Sequence, residues 1–198
     1  MISIVSQVAA AGAGAAALWL SLIVAGVLLV WLVMAFNGIV RHNNLVKEAW
    51  SGIDVQLERR HALVPNLVET VQGYAGFEKS LLEEITRLRG RAIDDRATRS
   101  LRDDENALTD RLRTLFALVE NYPEIKANRS FLTLQEQLVE IEDQLQFARR
   151  YYNGTVRDYN IAVESFPTNG VAIVFGFRPA EFFEVETATV RANPKVEI

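Results

Sequence analysis

Apolar positions along this chain follow two regimes. From Ala15 to Phe36 they are nearly continuous, with Trp19 and Trp31 near the ends, and no ionisable side chain occurs anywhere from Met1 to Val40. A helix of that size is roughly 33 Å long, enough to cross a hydrocarbon core of about 30 Å. Only a helix satisfies its own backbone there. The small residues Ala9 to Ala17 precede the apolar core instead of following it. A cleaved signal peptide has the reverse order, so an uncleaved membrane anchor is expected.

Beyond the anchor the pattern becomes periodic. From Ser130 the apolar or small residues fall at Leu134, Leu138, Ile141, Leu145, Ala148, Tyr152, Thr155, Tyr159, Ala162 and Phe166. These alternating steps of four and three predict one long helix with a coiled-coil seam. The same alternation follows the anchor through Ile39, Val46, Trp50, Ile53, Leu57, Val64, Leu67, Val71 and Tyr74, with the polar Asn43 and Arg60 on the seam. Those two are candidate register-setting residues, because a buried polar group demands a partner. Shorter amphipathic stretches, Phe77 to Ile93 and Ser100 to Tyr122, flank a charged segment and predict an antiparallel hairpin. Ser80/Glu83 and Ser100/Asp103 match capping boxes at their starts.

Pro65 could begin a new helix or merely kink one. A continuous helix from Asn37 to Tyr74 rises roughly 57 Å, and Ser130 to Phe166 descends roughly 55 Å, so the path closes on the membrane. A turn at Pro65 would instead drive Glu78, Lys79, Glu83, Glu84 and Arg87 past the bilayer surface. The kink is therefore expected.

After Pro167 the character changes to an aromatic-rich, irregular tail, in which Phe175, Phe177, Phe182 and Phe183 are candidate oligomer contacts. Docking on its own bundle or on lipid headgroups are the alternatives. The fold class is all-α: an uncharged leader (1–14), a transmembrane helix (15–36), an up-and-down bundle of two long and two shorter helices (37–166) and the tail (167–198).

The net charge of −4 lies entirely beyond the anchor, with signs interleaved, so no nucleic-acid partner is expected. Without cysteine there is no disulfide framework and no thiolate nucleophile. Arg41 and Lys47 follow the span closely, which favours a cytoplasmic bundle with the N-terminus outside, the opposite orientation being the alternative. Within the span, Ala17, Ser21 and Ala25 form a small-residue stripe suited to close helix packing.

Catalytic templates fail. Glu58-Arg59-Arg60-His61 supplies one Glu-x-x-His motif, but His42, the other histidine, has Ile39 three positions before it, so a di-iron site cannot be completed. Glu58 and His61 then read as a surface or interhelical polar pair. Arg60 is expected to snorkel or to pair with Glu142 or Asp143 of the last helix. No catalytic residue, metal site or cofactor is expected.

Phe36-Asn37, Ala49-Trp50-Ser51, Ile53-Asp54-Val55-Gln56-Leu57 and Arg59-Arg60-His61 together resemble the signature of the LemA family. So do Leu63-Val64-Pro65-Asn66-Leu67-Val68-Glu69, Tyr122-Pro123-Glu124-Ile125, Ala148-Arg149-Arg150-Tyr151-Tyr152-Asn153 and Phe175-Gly176-Phe177. About 150 residues are covered, in order. Glu58, Ala62 and Phe77 stand where the family usually has lysine, aspartate and histidine. The resemblance implies a bacterial protein with one membrane helix and an antiparallel bundle, without an agreed enzymatic activity. It implies a scaffold, since one relative takes part in building magnetosome membranes. The expected role is a non-enzymatic homo-oligomer that organises or shapes the bacterial inner (cytoplasmic) membrane, with membrane lipid as partner. The alternative is an adaptor of another membrane protein, such as an envelope protease.

Overall fold

The computed structural model describes residues 2–74, 76–94 and 98–183, and side chains at 18–74, 76–94 and 102–183. All regular structure among them is helical: α1 (Ile2–Gln72), α2 (Lys79–Asp94), α3 (Thr98–Val119), α4 (Pro123–Lys126), α5 (Arg129–Glu164) and α6 (Thr168–Phe175).

Helix α1 carries Pro65 in its interior without a break. Proline lacks an N–H, so the carbonyl four residues earlier, on His61, loses its helical partner. The Arg89 guanidinium takes that place, its Nε donating to the His61 carbonyl at 2.7 Å. Helix α2 begins at Lys79, and the Ser80 hydroxyl bonds Glu78 instead of capping the helix. Ser100 likewise lies inside α3. A side-chain cap does form at α5, where Asn128 Oδ1 accepts from the amides of Ser130 (2.8 Å) and Phe131 (3.2 Å).

The chain separates into two compact units. One takes α1 up to Val46 together with Thr155–Ala180, and its buried residues include Ile39, Val156, Tyr159, Val163, Val171 and Ala172. Here the tail departs from the sequence expectation of an irregular segment, because Thr168–Phe175 is helical. Its apolar run Val171-Ala172 packs inward, and Gly176, at φ 75°, closes the helix in the left-handed conformation. The amide of Phe177 then reaches back to the carbonyl of Ala172 at 2.9 Å.

The other unit takes Lys47–Gly154 and the tail from Glu181. Helices α2 and α3 pair antiparallel, crosslinked by Glu84–Arg111 (3.1 Å) and Arg91–Asp104 (2.7 Å). Their apolar stripes, Leu81, Ile85 and Leu88 against Leu108, Leu112 and Leu115, close over Val64, Leu67 and Val71 of α1. Phe131 and Leu138 of α5 complete this core.

Candidate functional site

The three-four spacing of Ile53, Leu57, Val64 and Leu67 carries Arg60 inward with them, and only 1% of it is exposed. A buried guanidinium needs several acceptors. Nη1 donates to Thr109 Oγ1 (2.7 Å) and to Glu142 Oε2 (3.0 Å), while Nη2 donates to Glu105 Oε2. Thr109 in turn donates to the Glu105 carbonyl (3.1 Å), and Gln146 donates to the remaining oxygen of Glu142 (3.0 Å). The second oxygen of Glu105 meets His61 Nε2 at 2.6 Å. Burial would raise the Glu105 carboxyl, but the His61 hydrogen bond and the Arg60 charge together hold it below the ordinary carboxylate range.

A second layer surrounds Phe183, which is fully buried. The Arg149 guanidinium lies 4.7 Å and that of Arg102 lies 5.6 Å from its ring centre. Such cation–aromatic stacking stabilises charges that lack water. Burial, followed by the like charge of Arg60, pulls Arg149 below its usual value. The carboxamide of Asn153 holds both backbone groups of Phe183, accepting from its amide (2.7 Å) and donating to its carbonyl (2.9 Å). Tyr152 donates its hydroxyl to the Glu181 carbonyl at 3.0 Å and packs edge-on against Trp50.

Within the unit that contains Thr155–Ala180 the same pair of residue types recurs. Tyr159 donates to the Arg178 carbonyl (3.0 Å), and Asn160 holds both backbone groups of Ala180 (2.8 and 2.9 Å). Burial raises both tyrosine hydroxyls above their ordinary value, so they remain donors. Tyr-Asn thus occurs twice, seven positions apart in α5, each pair gripping tail backbone.

The side chains that the sequence singles out are placed as follows. Val46, Ile53, Leu57, Val64, Leu138, Ile141, Leu145, Tyr152 and Tyr159 are buried, and Trp50 and Leu134 are half-buried. Phe166 requires correction: it is 90% exposed, because α5 stops at Glu164, ahead of Pro167. Phe183 also requires correction, since a side chain enclosed by its own chain cannot be a subunit contact. Phe175 and Phe177 lie 4.8 and 5.8 Å from the ring of Phe36, while Phe182 remains partly exposed. Asn43 is half-buried. Ser21 and Ala25 are exposed, with the Ser21 hydroxyl donating to the Leu18 carbonyl of its own helix (2.8 Å); the Ala17 side chain lies outside the described residues.

Glu105 and Thr109 escape sequence reasoning, Arg149 and Asn153 enter it only through the family resemblance, and Asn160 only as a hydrogen-bonding residue beside Tyr159. Glu105 carried a signal, because it falls three residues before Leu108 and seven before Leu112, on the stripe that turns inward.

An open groove of about 310 Å³ lies beside the cluster, lined by Asp54, Glu58, His61 and Arg89 among others. Glu58 is exposed, and among the described residues no group of three His, Cys, Asp or Glu could hold a metal ion. The arrangement is suited to fixing helix register: Arg60 finds its acceptors on α3 and α5 together, and a shift of either helix by one residue removes them.

Among curated proteins, the chain is 25% identical to magnetosome protein MamQ 2 of Paramagnetospirillum magneticum over 183 residues, covering 79% of this chain and 67% of the relative. The MamQ of Magnetospirillum gryphiswaldense matches to the same extent. Protein LemA of Metamycoplasma hominis is 26% identical over 167 residues, covering 78% of this chain and 75% of its own length. An apolar helix long enough to cross a bilayer, together with these relatives, points to a membrane-associated protein. The LemA family model matches residues 49–198, a range that takes in Arg60, His61, Glu105, Glu142 and both Tyr-Asn pairs, and the chain therefore belongs to the LemA family.

Proposed function

We propose that this chain is a membrane-anchored, non-catalytic helical scaffold of the inner membrane, whose copies associate side by side and so organise the bilayer. The observation that carries the reading is an outward apolar stripe on α5: Leu132, Val139, Phe147 and Tyr151 are all about half exposed or more. Steps of seven, eight and four residues keep them within roughly a third of the helix circumference. Water-facing side chains of this kind, repeated along one face, fit a protein partner. Anchoring confines copies to two dimensions, which raises their effective concentration and makes weak lateral contacts sufficient. Magnetosome proteins among the relatives support a role at a membrane. In this reading Arg41 and Lys47 hold the bundle on the cytoplasmic side.

Light scattering of detergent-extracted protein on a sizing column tests the reading. A mass above that of one chain, reduced by Phe147→Glu at unchanged helicity, is expected. A strict monomer across concentrations removes the idea, and in-cell crosslinks chiefly to a different chain replace it with the adaptor reading.

A further inference from the structure

The unit built from the anchor and Thr155–Ala180 carries a second apolar feature that its own packing does not use. Between Glu164 and Arg178 the chain has no ionisable side chain. Helix α6 lies within this stretch and buries Val171 and Ala172, yet leaves Ile173 and Val174 each 78% exposed, and Phe166, two residues ahead of the helix, is exposed as well. In water such a patch is unfavourable.

The level of this patch is set by Phe36, the last residue of the apolar span. Its ring contacts Phe175 at 4.8 Å and Phe177 at 5.8 Å, so the end of α6 lies beside the end of the span. A further sign comes from the span itself. Large side chains from Leu18 to Val30 are at least 50% exposed, but Trp31 and Leu32, about one turn before Phe36, fall to 37% and 38% on one side of the helix, while Met34 stays 69% exposed on another. The chain therefore begins to cover its anchor while the anchor is still apolar. Three rings, Phe36, Phe175 and Phe177, meet at this end of the span, and Trp31 lies about one turn earlier on the same helix.

We propose that α6 together with Phe166 is a second membrane contact, seated at the headgroup–acyl boundary of the leaflet in which the anchor ends. The occupant of the patch is lipid: it is continuous with the anchor through Phe36, it is uncharged, and it is bracketed by Glu164 and Arg178, which remain in water. Gly176, at positive φ, ends α6 with its amide and that of Phe177 bonded back to Ile173 and Ala172, and the chain then reaches the Arg178 carbonyl held by Tyr159. Each protomer then meets the bilayer at two points, an anchor that crosses it and a short wedge that occupies one leaflet.

This inference rests on the reading that the leading helix lies in the membrane, and the experiment separates the two. The chain contains no cysteine, so single-cysteine variants carry one environment-sensitive fluorophore each. Full-length Ile173→Cys, Val174→Cys and Phe166→Cys are reconstituted in phosphatidylethanolamine–phosphatidylglycerol vesicles, with Leu22→Cys as the membrane reference and Glu140→Cys as the water reference. Blue-shifted emission at 166, 173 and 174, quenched more strongly by lipids labelled near the headgroup than by lipids labelled at the chain end, is expected. Water-like emission there beside lipid-like emission at 22 overturns the wedge and leaves the anchor standing. Blue-shifted emission that no lipid quencher reaches also overturns it, since protein would then cover the patch. Water-like emission at 22 as well removes the membrane reading beneath it.

Discussion

Arg89 and Pro65 act on one carbonyl from opposite sides: proline removes the helical donor to His61, and the Arg89 Nε replaces it at 2.7 Å. This explains how a 71-residue helix passes a proline without ending. Arg89→Met, which keeps the stem and removes the donor, is expected to cost about 1–3 kcal/mol. In a Pro65→Ala background the helical N–H returns, so the same substitution is expected to cost much less. Denaturant unfolding of the four proteins as a double-mutant cycle checks this, and equal costs in both backgrounds would show that the arginine acts elsewhere.

The buried Arg60–Glu105 pair makes a second cycle informative. Glu105→Leu leaves the buried Arg60 with Glu142 as its remaining carboxylate and takes the Glu105 oxygen from His61, so alone it is expected to destabilise by about 3 kcal/mol. Arg60→Met with Glu105→Leu together is expected to cost clearly less than the sum, although Glu142 then loses a donor as well. Additive losses would mean that the two side chains contribute independently.

Acid stability follows from the same carboxyl. Because Glu105 titrates below its ordinary value in the folded protein, the unfolded chain binds the extra proton first. The stabilisation is therefore complete above the ordinary glutamate range and is lost as pH falls through the depressed value. Unfolding free energies measured from neutral pH downward are expected to fall in that acid window, with a shallower fall for Glu105→Gln. An identical acid limb in the variant would assign the effect to other carboxyls.

The tail is expected to behave as part of the packed structure. Phe183→Ala removes a fully buried ring and unstacks two guanidinium groups, a change expected to cost about 3–5 kcal/mol. Asn153→Ala should do less damage but expose the segment after Arg178 to protease, since both backbone groups of Phe183 lose their partners. Limited proteolysis and thermal unfolding measure the two effects. Truncation at Pro167 that left stability intact would return the tail to the role of an independent arm.

How far these features are legible in the sequence depends on periodicity. Helices α1 and α5 announce themselves because their inward residues recur every three or four positions, and Arg60 was conspicuous as a charge on that stripe, with Glu142 among its expected partners. Glu105 lay on an equally regular stripe but reads as solvated among the charged neighbours Arg102, Asp103 and Asp104. Arg149 displaced Ala148 from the position that strict seven-residue counting gives it, and is the more buried of the two. For the tail, docking on its own bundle stood beside subunit and headgroup contacts with nothing to choose among them, because its extended segment is held through backbone groups, which side-chain patterns do not encode.

The claim on which the scaffold reading depends is association within the membrane. Full-length chain bearing one fluorophore at Glu140→Cys, reconstituted in vesicles over a range of protein-to-lipid ratios, can be counted by single-molecule photobleaching. The account expects multi-step bleaching that grows with surface density and falls back when Phe147→Glu interrupts the α5 stripe. Single-step bleaching at every density, indistinguishable between the two proteins, would contradict it.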